Sequence, residues 1–280
     1  MSQLLLSSPE LTRSQFHSIS DMVRGLCGIN LHIGKVALVR ARLNKRLRQL
    51  GLRSFDQYMD LIRDDVDGSE TVAMLNALST NLTHFFREPK HFEALRKDVI
   101  PDMLDRHEQD RRLRLWSAGC SSGEEPYSIA MTLKDAAGDL AGWDVGILAT
   151  DLSTRMLQVA REGVYPSQRM RDVPPGMLME NFCVYPDRSR PCYRVRDSLR
   201  KMVHFARLNL MAPWPMKGKF DAIFCRNVMI YFDKPTQETL VRRFWDQLAP
   251  GGTLFIGHSE SLTGVRHGFR YLRPTVYQKT

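Results

Sequence analysis

The chain has 280 residues, 43% of them hydrophobic and 25% charged, the composition of a globular protein of about two domains rather than a disordered or fibrous one. Its 40 basic and 31 acidic side chains leave a net charge of +9, which points to an acidic partner and leaves nucleic acid, anionic lipid and an acidic protein surface open. Five cysteines without a CxxC pair argue against a disulfide framework or structural zinc and fit a reducing cytoplasm; no apolar run nears the roughly 18 residues of a membrane span, and no basic leader opens the chain.

In chain order, residues 1 to about 85 predict helices, because apolar residues recur at spacings of three and four without strand-like alternation. The clearest helix runs from Lys35 to Leu50. Val36, Val39, Leu43, Leu47 and Leu50 share one face, Arg42, Lys45 and Arg48 point away from it, Lys35 and Arg46 border it, and Gly51 supplies the stop. From Arg24 to Arg53 there are eight basic residues and no acidic one, whereas Asp56 to Glu70 holds six acidic residues and one basic. Residues 86–110 read as a linker.

From 111 to 280, short apolar runs alternate with helical stretches, the pattern of a parallel sheet covered by helices. Predicted strands lie near 113–117, 145–149, 203–206, 222–225 and 253–257. Helices are expected from Glu124 to Ala136, with Pro126 in the first turn, after the cap Ser153, and from Asp233 and Pro235 to a stop at Ala249-Pro250-Gly251-Gly252. Pro166, Pro174, Pro175, Pro186 and Pro191, followed by the alternation of Cys192 to Arg196, predict a loop and small hairpin inserted at about 165–200. Cys183 and Cys192 could face each other across it, though free thiols suit the compartment better. Phe269 to Gln278 predicts an antiparallel edge strand.

The strongest local signal is Leu115 to Tyr127, a strand running into a loop with Gly119 and Gly123 and then a helix. The glycines lack GxGxxG spacing, and Glu124 and Glu125 at the helix start would repel a pyrophosphate, which disfavours a dinucleotide. Glu125 would instead suit a ligand bearing positive charge. On spacing alone, a tight turn accounts for this loop as well as a cofactor does. The next strand ends in Asp151, which either caps a helix or accepts hydrogen bonds from ribose hydroxyls. Together these features point to an adenosine-type cofactor without a pyrophosphate, a description that S-adenosylmethionine satisfies.

Two further segments, Asn81-Leu82-Thr83-His84-Phe85-Phe86-Arg87-Glu88 and Phe220 to Phe232 with its core Cys225-Arg226-Asn227-Val228-Met229-Ile230-Tyr231, sharpen this reading. With Ser117 to Tyr127, Asp151 and Gly257-His258-Ser259-Glu260, they resemble the chemotaxis receptor glutamate methyltransferases, the CheR family, from about residue 10 to the end. The resemblance implies an α/β Rossmann-like methyltransferase sheet at 111–280 with the inserted β-subdomain, behind an all-α receptor-recognition domain at 1–85. It implies methyl transfer from S-adenosylmethionine to glutamate side chains on the cytoplasmic helices of chemoreceptors by a cytoplasmic monomer, with S-adenosylhomocysteine as product. Carried over residue by residue, the cofactor contacts fall on Asn81, Thr83, Arg87, Glu125, Asp151, Asn209, Leu210, Arg226 and Asn227. Tyr231 matches a tyrosine beside the transferable methyl group, and Arg87 is the expected orienter of the acceptor carboxylate. Arg42, Lys45 and Arg48 match the exposed face of a basic helix that grips the receptor.

Other readings fall away. Gly257 to Ser261 lacks the second glycine of a nucleophile elbow, and His84, His91 and His258 show no metal-ligand spacing, so no metal is expected. A nucleic-acid methyltransferase would suit +9, but such enzymes follow the fourth strand with an Asp/Asn-Pro-Pro-aromatic turn where Arg226-Asn227-Val228-Met229 stands. In many relatives the inserted hairpin also docks a receptor's carboxyl-terminal pentapeptide through a glycine-bearing turn. Here the turn reads Val184 to Arg190 without glycine, leaving Arg188, Arg190, Arg194 and Arg196 to attract a terminal carboxylate.

Overall fold

A computed structural model describes residues 9–138, 140–186 and 191–280, in two compact units that divide between Thr80 and Asn81. The first unit is all helical: α1 (Arg13–Cys27), α2 (Val36–Leu50), α3 (Phe55–Arg63) and α4 (Ser69–Leu78). Thr12 and Gln15 close a reciprocal capping box on α1, and Gly51 ends α2 in the left-handed conformation that glycine tolerates. Phe16, Ile19, Val23, Val39, Leu43, Leu47, Phe55 and Tyr58 form the core.

The cations of α2 divide in a way that periodicity does not reveal. Arg46 pairs with buried Glu70, which also accepts the Tyr58 hydroxyl at 2.8 Å. Arg40 pairs with Glu10 at 2.5 Å. Arg42 is half-buried and donates to the carbonyls of Leu78 (2.7 Å) and Ser79 (3.1 Å), orphan acceptors at the end of α4. This corrects the expected exposed trio: only Lys45 and Arg48 stand exposed.

The second unit contains α5 (Pro89–Ala94), a π turn (Leu95–Val99), α6 (Ile100–Arg106), β1 (Arg112–Ala118), α7 (Glu124–Ala137), β2 (Asp144–Asp151), α8 (Thr154–Glu162), β3 (Val164–Pro166), α9 (Pro175–Asn181), β4 (Phe182–Tyr185), β5 (Cys192–Val195), α10 (Asp197–Arg200), β6 (Val203–Arg207), β7 (Phe220–Cys225), α11 (Lys234–Gln247), β8 (Leu248–Ile256), β9 (Arg270–Arg273) and β10 (Val276–Gln278). The seven-stranded sheet runs β6-β2-β1-β7-β8-β10-β9, parallel from β6 to β8, with β10 and β9 antiparallel at the edge. Strand order reverses at β1, so the crevice beyond the carboxyl ends of β1 and β7 is the switch point at which such sheets hold ligands.

Both faces of the sheet are covered, which is why its strands read as apolar runs. Leu113 and Leu115 belong to one buried cluster with Ile129, Leu133 and Ile147, while Trp116 meets Trp214, Phe220 and Phe244 at ring distances of 4.8–5.5 Å.

Three expectations change here. The segment 86–110 is not a linker: α5, the π turn and α6 bury Phe92, Leu95, Val99, Ile100 and Met103 in the sheet's core. Pro89 sits in the first turn of α5, where a missing amide donor costs nothing, and Pro101 directly follows the π turn within the helical run that continues from it. Helix α11 ends at Gln247, and Ala249 to Gly252 belong to β8, where the Gly251 amide donates to Lys279 and the Lys279 amide to Gly252. The insertion is a three-stranded sheet, β3-β5-β4, rather than a hairpin alone, and Cys183 stands opposite Arg194, so all five cysteines are free thiols. The turn residues Arg188 and Arg190 lie outside the described residues.

Candidate functional site

The loop after β1 is shaped by its own packing. Gly119 and Gly123 both adopt φ of +96°, and a Cβ on Gly119 would lie 2.4 Å from Val228, while one on Gly123 would lie 2.8 Å from Ala160 and from the Tyr165 hydroxyl. Gly119 thus lets the loops after β1 and β7 approach closely, and Gly123 lets the loop pack against α8 and Tyr165. The Gly119 and Cys120 amides donate to the Thr150 carbonyl, and the Ser121 amide donates to Asp151 Oδ2 at 2.8 Å, which draws the loop across the end of β2. Asp151 Oδ1 accepts the Ser153 amide at 2.8 Å, while the Ser153 side chain caps α8. Ser121 Oγ donates to the Asn81 carbonyl at 2.9 Å, joining Asn81 to the same loop.

A second knot forms around Arg226, the first residue after β7. Its side chain is 1% exposed and donates to Glu125 Oε2 (3.0 Å), to Glu88 Oε2 (3.1 Å) and to the Arg87 carbonyl, with its charge 5.5 Å from the centre of the Phe92 ring. Glu125 Oε1 accepts the Ser117 hydroxyl at 2.7 Å. Asn227 follows with φ of +59° and donates from its side chain to Glu88 Oε1 at 3.2 Å. Phe85, wholly buried edge-on against Tyr165 and Phe182, anchors the segment that carries Arg87.

Glu125, Asp151, Arg226 and Asn227 therefore gather with Asn81 and Arg87 at one end of the sheet. The Arg87 guanidinium donates to the Leu82 carbonyl at 2.8 Å, and among the described residues it has no carboxylate partner. Asn209 lies just beyond the paired ends of β2 and β6, its Oδ1 accepting the Met211 amide at 3.0 Å. Leu210 is buried. Tyr231 ends a single 3₁₀ turn (Met229–Tyr231) after Asn227, and Thr83 is half-buried between Asn81 and Phe85. Lys45, Arg48 and Arg42 belong to the helical unit.

Two acids that stand in the quoted motifs but received no role there organise this end. Glu88 spans Arg226, Asn227 and the His258 amide (3.2 Å). Glu260 takes the amides of Asn227 and Val228 at 2.9 Å, of Ile230 at 3.2 Å and of Gly257, binding the loop after β7 to the end of β8. The available signal was the motifs themselves, which end in these acids, Glu88 directly after Arg87 and Glu260 three residues after Gly257.

The electrostatics follow from burial. Burial pushes the carboxyls of Glu125, Asp151 and Glu260 above their ordinary range, against the opposing pull of Arg226 at Glu125 and of backbone amides at the other two. Burial also acts on Glu88, but Arg226, Asn227 and the His258 amide outweigh it and leave its carboxyl lowered. Burial raises the Cys120 and Cys225 thiols well above their ordinary value, so neither is an activated nucleophile. Glu88 and Glu125 share one buried guanidinium, while Asp151 and Glu260, at the same end of the sheet, are held by backbone amides alone. That surplus suits a ligand with positive charge, and Asp151 keeps free lone pairs for hydroxyl donors. S-adenosylmethionine, with its sulfonium, ammonium and ribose hydroxyls, fits this donor set.

The family model described as CheR methyltransferase, SAM binding domain, matches residues 81–278, and that described as CheR methyltransferase, all-alpha domain, matches 14–79. The chain is 44% identical over 95% of its length to chemotaxis protein methyltransferase 2 of Pseudomonas aeruginosa, covering 93% of that protein. It is 42% identical over 96% to the chemotaxis protein methyltransferase of Klebsiella aerogenes, covering 91%, and 41% identical over 98% to that of Escherichia coli, covering 94%. Among the described residues, no helix is long and apolar enough to cross a membrane.

Proposed function

This chain belongs to the CheR methyltransferase family, and from that membership we propose its acceptor and the work of its site residues. It is an S-adenosylmethionine-dependent methyltransferase. We infer that its acceptors are glutamate carboxylates on the cytoplasmic helices of chemoreceptors, that the product is a glutamate methyl ester made for chemotactic adaptation, and that it acts in the cytoplasm as a monomer. The names of its relatives support this reading.

When bound, S-adenosylmethionine supplies an electrophilic methyl group on a sulfonium sulfur and leaves as S-adenosylhomocysteine. Asp151 holds the ribose hydroxyls with the lone pairs that Ser121 and Ser153 leave free. Asn81, Thr83, Arg87, Glu125, Asn209, Leu210, Arg226 and Asn227 complete the cofactor set. A free glutamate carboxyl titrates near about 4.3, so the acceptor is already ionised and needs no general base. The work left to the protein is positioning. Arg87 presents a planar fork to two carboxylate oxygens, and Tyr231 donates one hydrogen bond and shapes the pocket. The exposed Lys45 and Arg48 of α2 attract the acidic receptor helix, while Arg42 serves the helical unit from within.

The observation that carries this reading is the Arg226 knot, where one buried guanidinium ties Glu125 and Glu88 together beside Arg87 and leaves a carboxylate surplus for a cationic ligand. The test is transfer of radiolabelled methyl to membranes containing chemoreceptors, followed by mild alkali. Glutamate methyl esters release the label as methanol. Alkali-stable label, or label on nucleic acid instead, would overturn the assignment.

A finer contact follows from the insertion. β4 is an open edge with Val184 and Tyr185 exposed, and extended peptides add to such edges through main-chain hydrogen bonds. We place a receptor's carboxyl-terminal pentapeptide there, its carboxylate drawn by Arg194 and Arg196. Calorimetric titration with the peptide checks this, and an absence of heat removes the tether while leaving the methyl-transfer reading in place.

A further inference from the structure

His91, on α5, is 1% exposed, and its Nε2 lies 2.6 Å from Thr275 Oγ1. The Thr275 hydroxyl donates its only proton to the Pro274 carbonyl at 2.6 Å, so it can only accept from His91. The tautomer with its proton on Nε2 satisfies this contact and leaves Nδ1 as a lone pair. That atom is buried without a hydrogen-bond partner, yet it lies 3.3 Å from Glu88 Oε2. The two atoms face each other with no hydrogen bond between them, at the separation of neighbouring ligand atoms on one ion.

The surroundings supply the rest of a site. The His258 ring packs edge-on against His91 with centroids 4.9 Å apart, and one ligand atom from each of Glu88, His91 and His258 lies within 4.8 Å of the others. On a tetrahedral ion with bonds of about 2.0–2.1 Å, neighbouring ligand atoms stand roughly 3.3 Å apart, the separation already present between His91 and Glu88. His258 is exposed and free to swing the remaining distance. Thr275, buried at φ of +63° where a β-branched residue rarely sits, holds the imidazole from behind, as outer-shell partners of metal-binding histidines do.

We propose that Glu88, His91 and His258 form a three-ligand site for a divalent transition-metal ion of the zinc class, with water as the fourth ligand. Two imidazoles and one carboxylate suit that class rather than calcium or magnesium. Glu88 Oε2 is also an acceptor of Arg226, so an ion on Glu88 competes with that guanidinium and lowers methyl transfer.

The experiment uses the full chain, stripped of metal and titrated with Zn²⁺ against a chromophoric chelator, and with Co²⁺ as a spectroscopic stand-in. The expected result is one ion per chain, with a tetrahedral cobalt spectrum that lacks thiolate charge transfer. Because His258 is exposed, His258→Ala preserves the fold. It should weaken Zn²⁺ binding by at least about tenfold, since loss of even an outer-shell partner costs 10–100-fold. It should also shift Zn²⁺ inhibition of methyl transfer to correspondingly higher concentration. No stoichiometric binding, equal affinity in His258→Ala, or a thiolate band that moves the ion to a cysteine would each overturn the proposal.

Discussion

Tyr231 and Arg87 carry the sharpest residue-scale expectations, because in the proposed chemistry they act on the acceptor rather than on the fold. Losing one hydrogen bond to a charged group costs about 1.5–3 kcal/mol. Tyr231→Phe should therefore lower kcat roughly 10- to 100-fold, and Arg87→Ala at least as much, while receptor binding changes little. Single-turnover methylation beside a receptor pull-down checks this, and parent-rate methylation by either variant would remove that residue from the chemistry. The buried carboxylates at this end of the sheet make a second prediction. The folded-state pKa values of Glu125, Asp151 and Glu260 are raised, so the native state holds more protons than the unfolded chain just above the ordinary carboxylate range, and stability falls as pH rises through that window. Glu88, whose folded value is lowered, adds stability above the ordinary range that is lost as pH falls through its lowered value. Stability from this cluster thus peaks near pH about 4–5. Urea midpoints across pH should show the decline, and Glu125→Gln should flatten its alkaline side; an unchanged slope would remove Glu125 from the account. Arg226 and Asp151 were legible in the sequence through strand-end position and motif. What Glu88 does was not, because its partners Arg226, Asn227 and His258 lie far away in the chain.

Between β7 and β8 the site depends on one acid holding a loop. Each Glu260 oxygen accepts two backbone amides, Val228 and Ile230 on one, Asn227 and Gly257 on the other. Glu260→Gln replaces one oxygen with an amino group facing two donors, and each buried amide left unmade costs about 1–3 kcal/mol. The variant should stay folded by circular dichroism, exchange amide hydrogens faster at 227–230, and lose affinity for S-adenosylhomocysteine as Asn227 drifts. Wild-type exchange at those amides would show that Glu260 does not position them. The elements themselves were largely legible, since strands buried on both faces carry short apolar runs, as Leu115-Trp116 in β1 and Ala222 to Cys225 in β7 do. The misreadings share a cause in proline and glycine, taken as punctuation. Pro89 opens a helix and Pro101 lies within the run that continues from it, instead of marking a linker, and Pro250 with Gly251 and Gly252 lies within β8, because Lys279, just past the last strand, pairs with both glycines.

For the whole chain, the net charge of +9 acquires meaning only once its internal partners are subtracted. Of the basic run from Arg24 to Arg53, Arg46 is spent on Glu70, Arg40 on Glu10 and Arg42 on the end of α4, whereas Lys45 and Arg48 face solvent. Substitutions along one helix should therefore separate into two kinds. Arg42→Ala strips a charged donor from two helix-end carbonyls and should cost the helical unit about 1–3 kcal/mol in denaturant unfolding. Lys45→Glu with Arg48→Glu, on an exposed face, should leave stability within about 0.5 kcal/mol. On receptor methylation the order reverses. The double charge reversal should raise the KM for receptor and abolish much of its dependence on salt, because attraction between exposed charges is screened over about 10 Å at 0.1 M ionic strength. Affinity for S-adenosylhomocysteine, held by residues of the other unit, should not move. A double variant with the parent's KM and salt slope would place the receptor's acidic helix elsewhere and return the basic face of α2 to the role of a solvated surface.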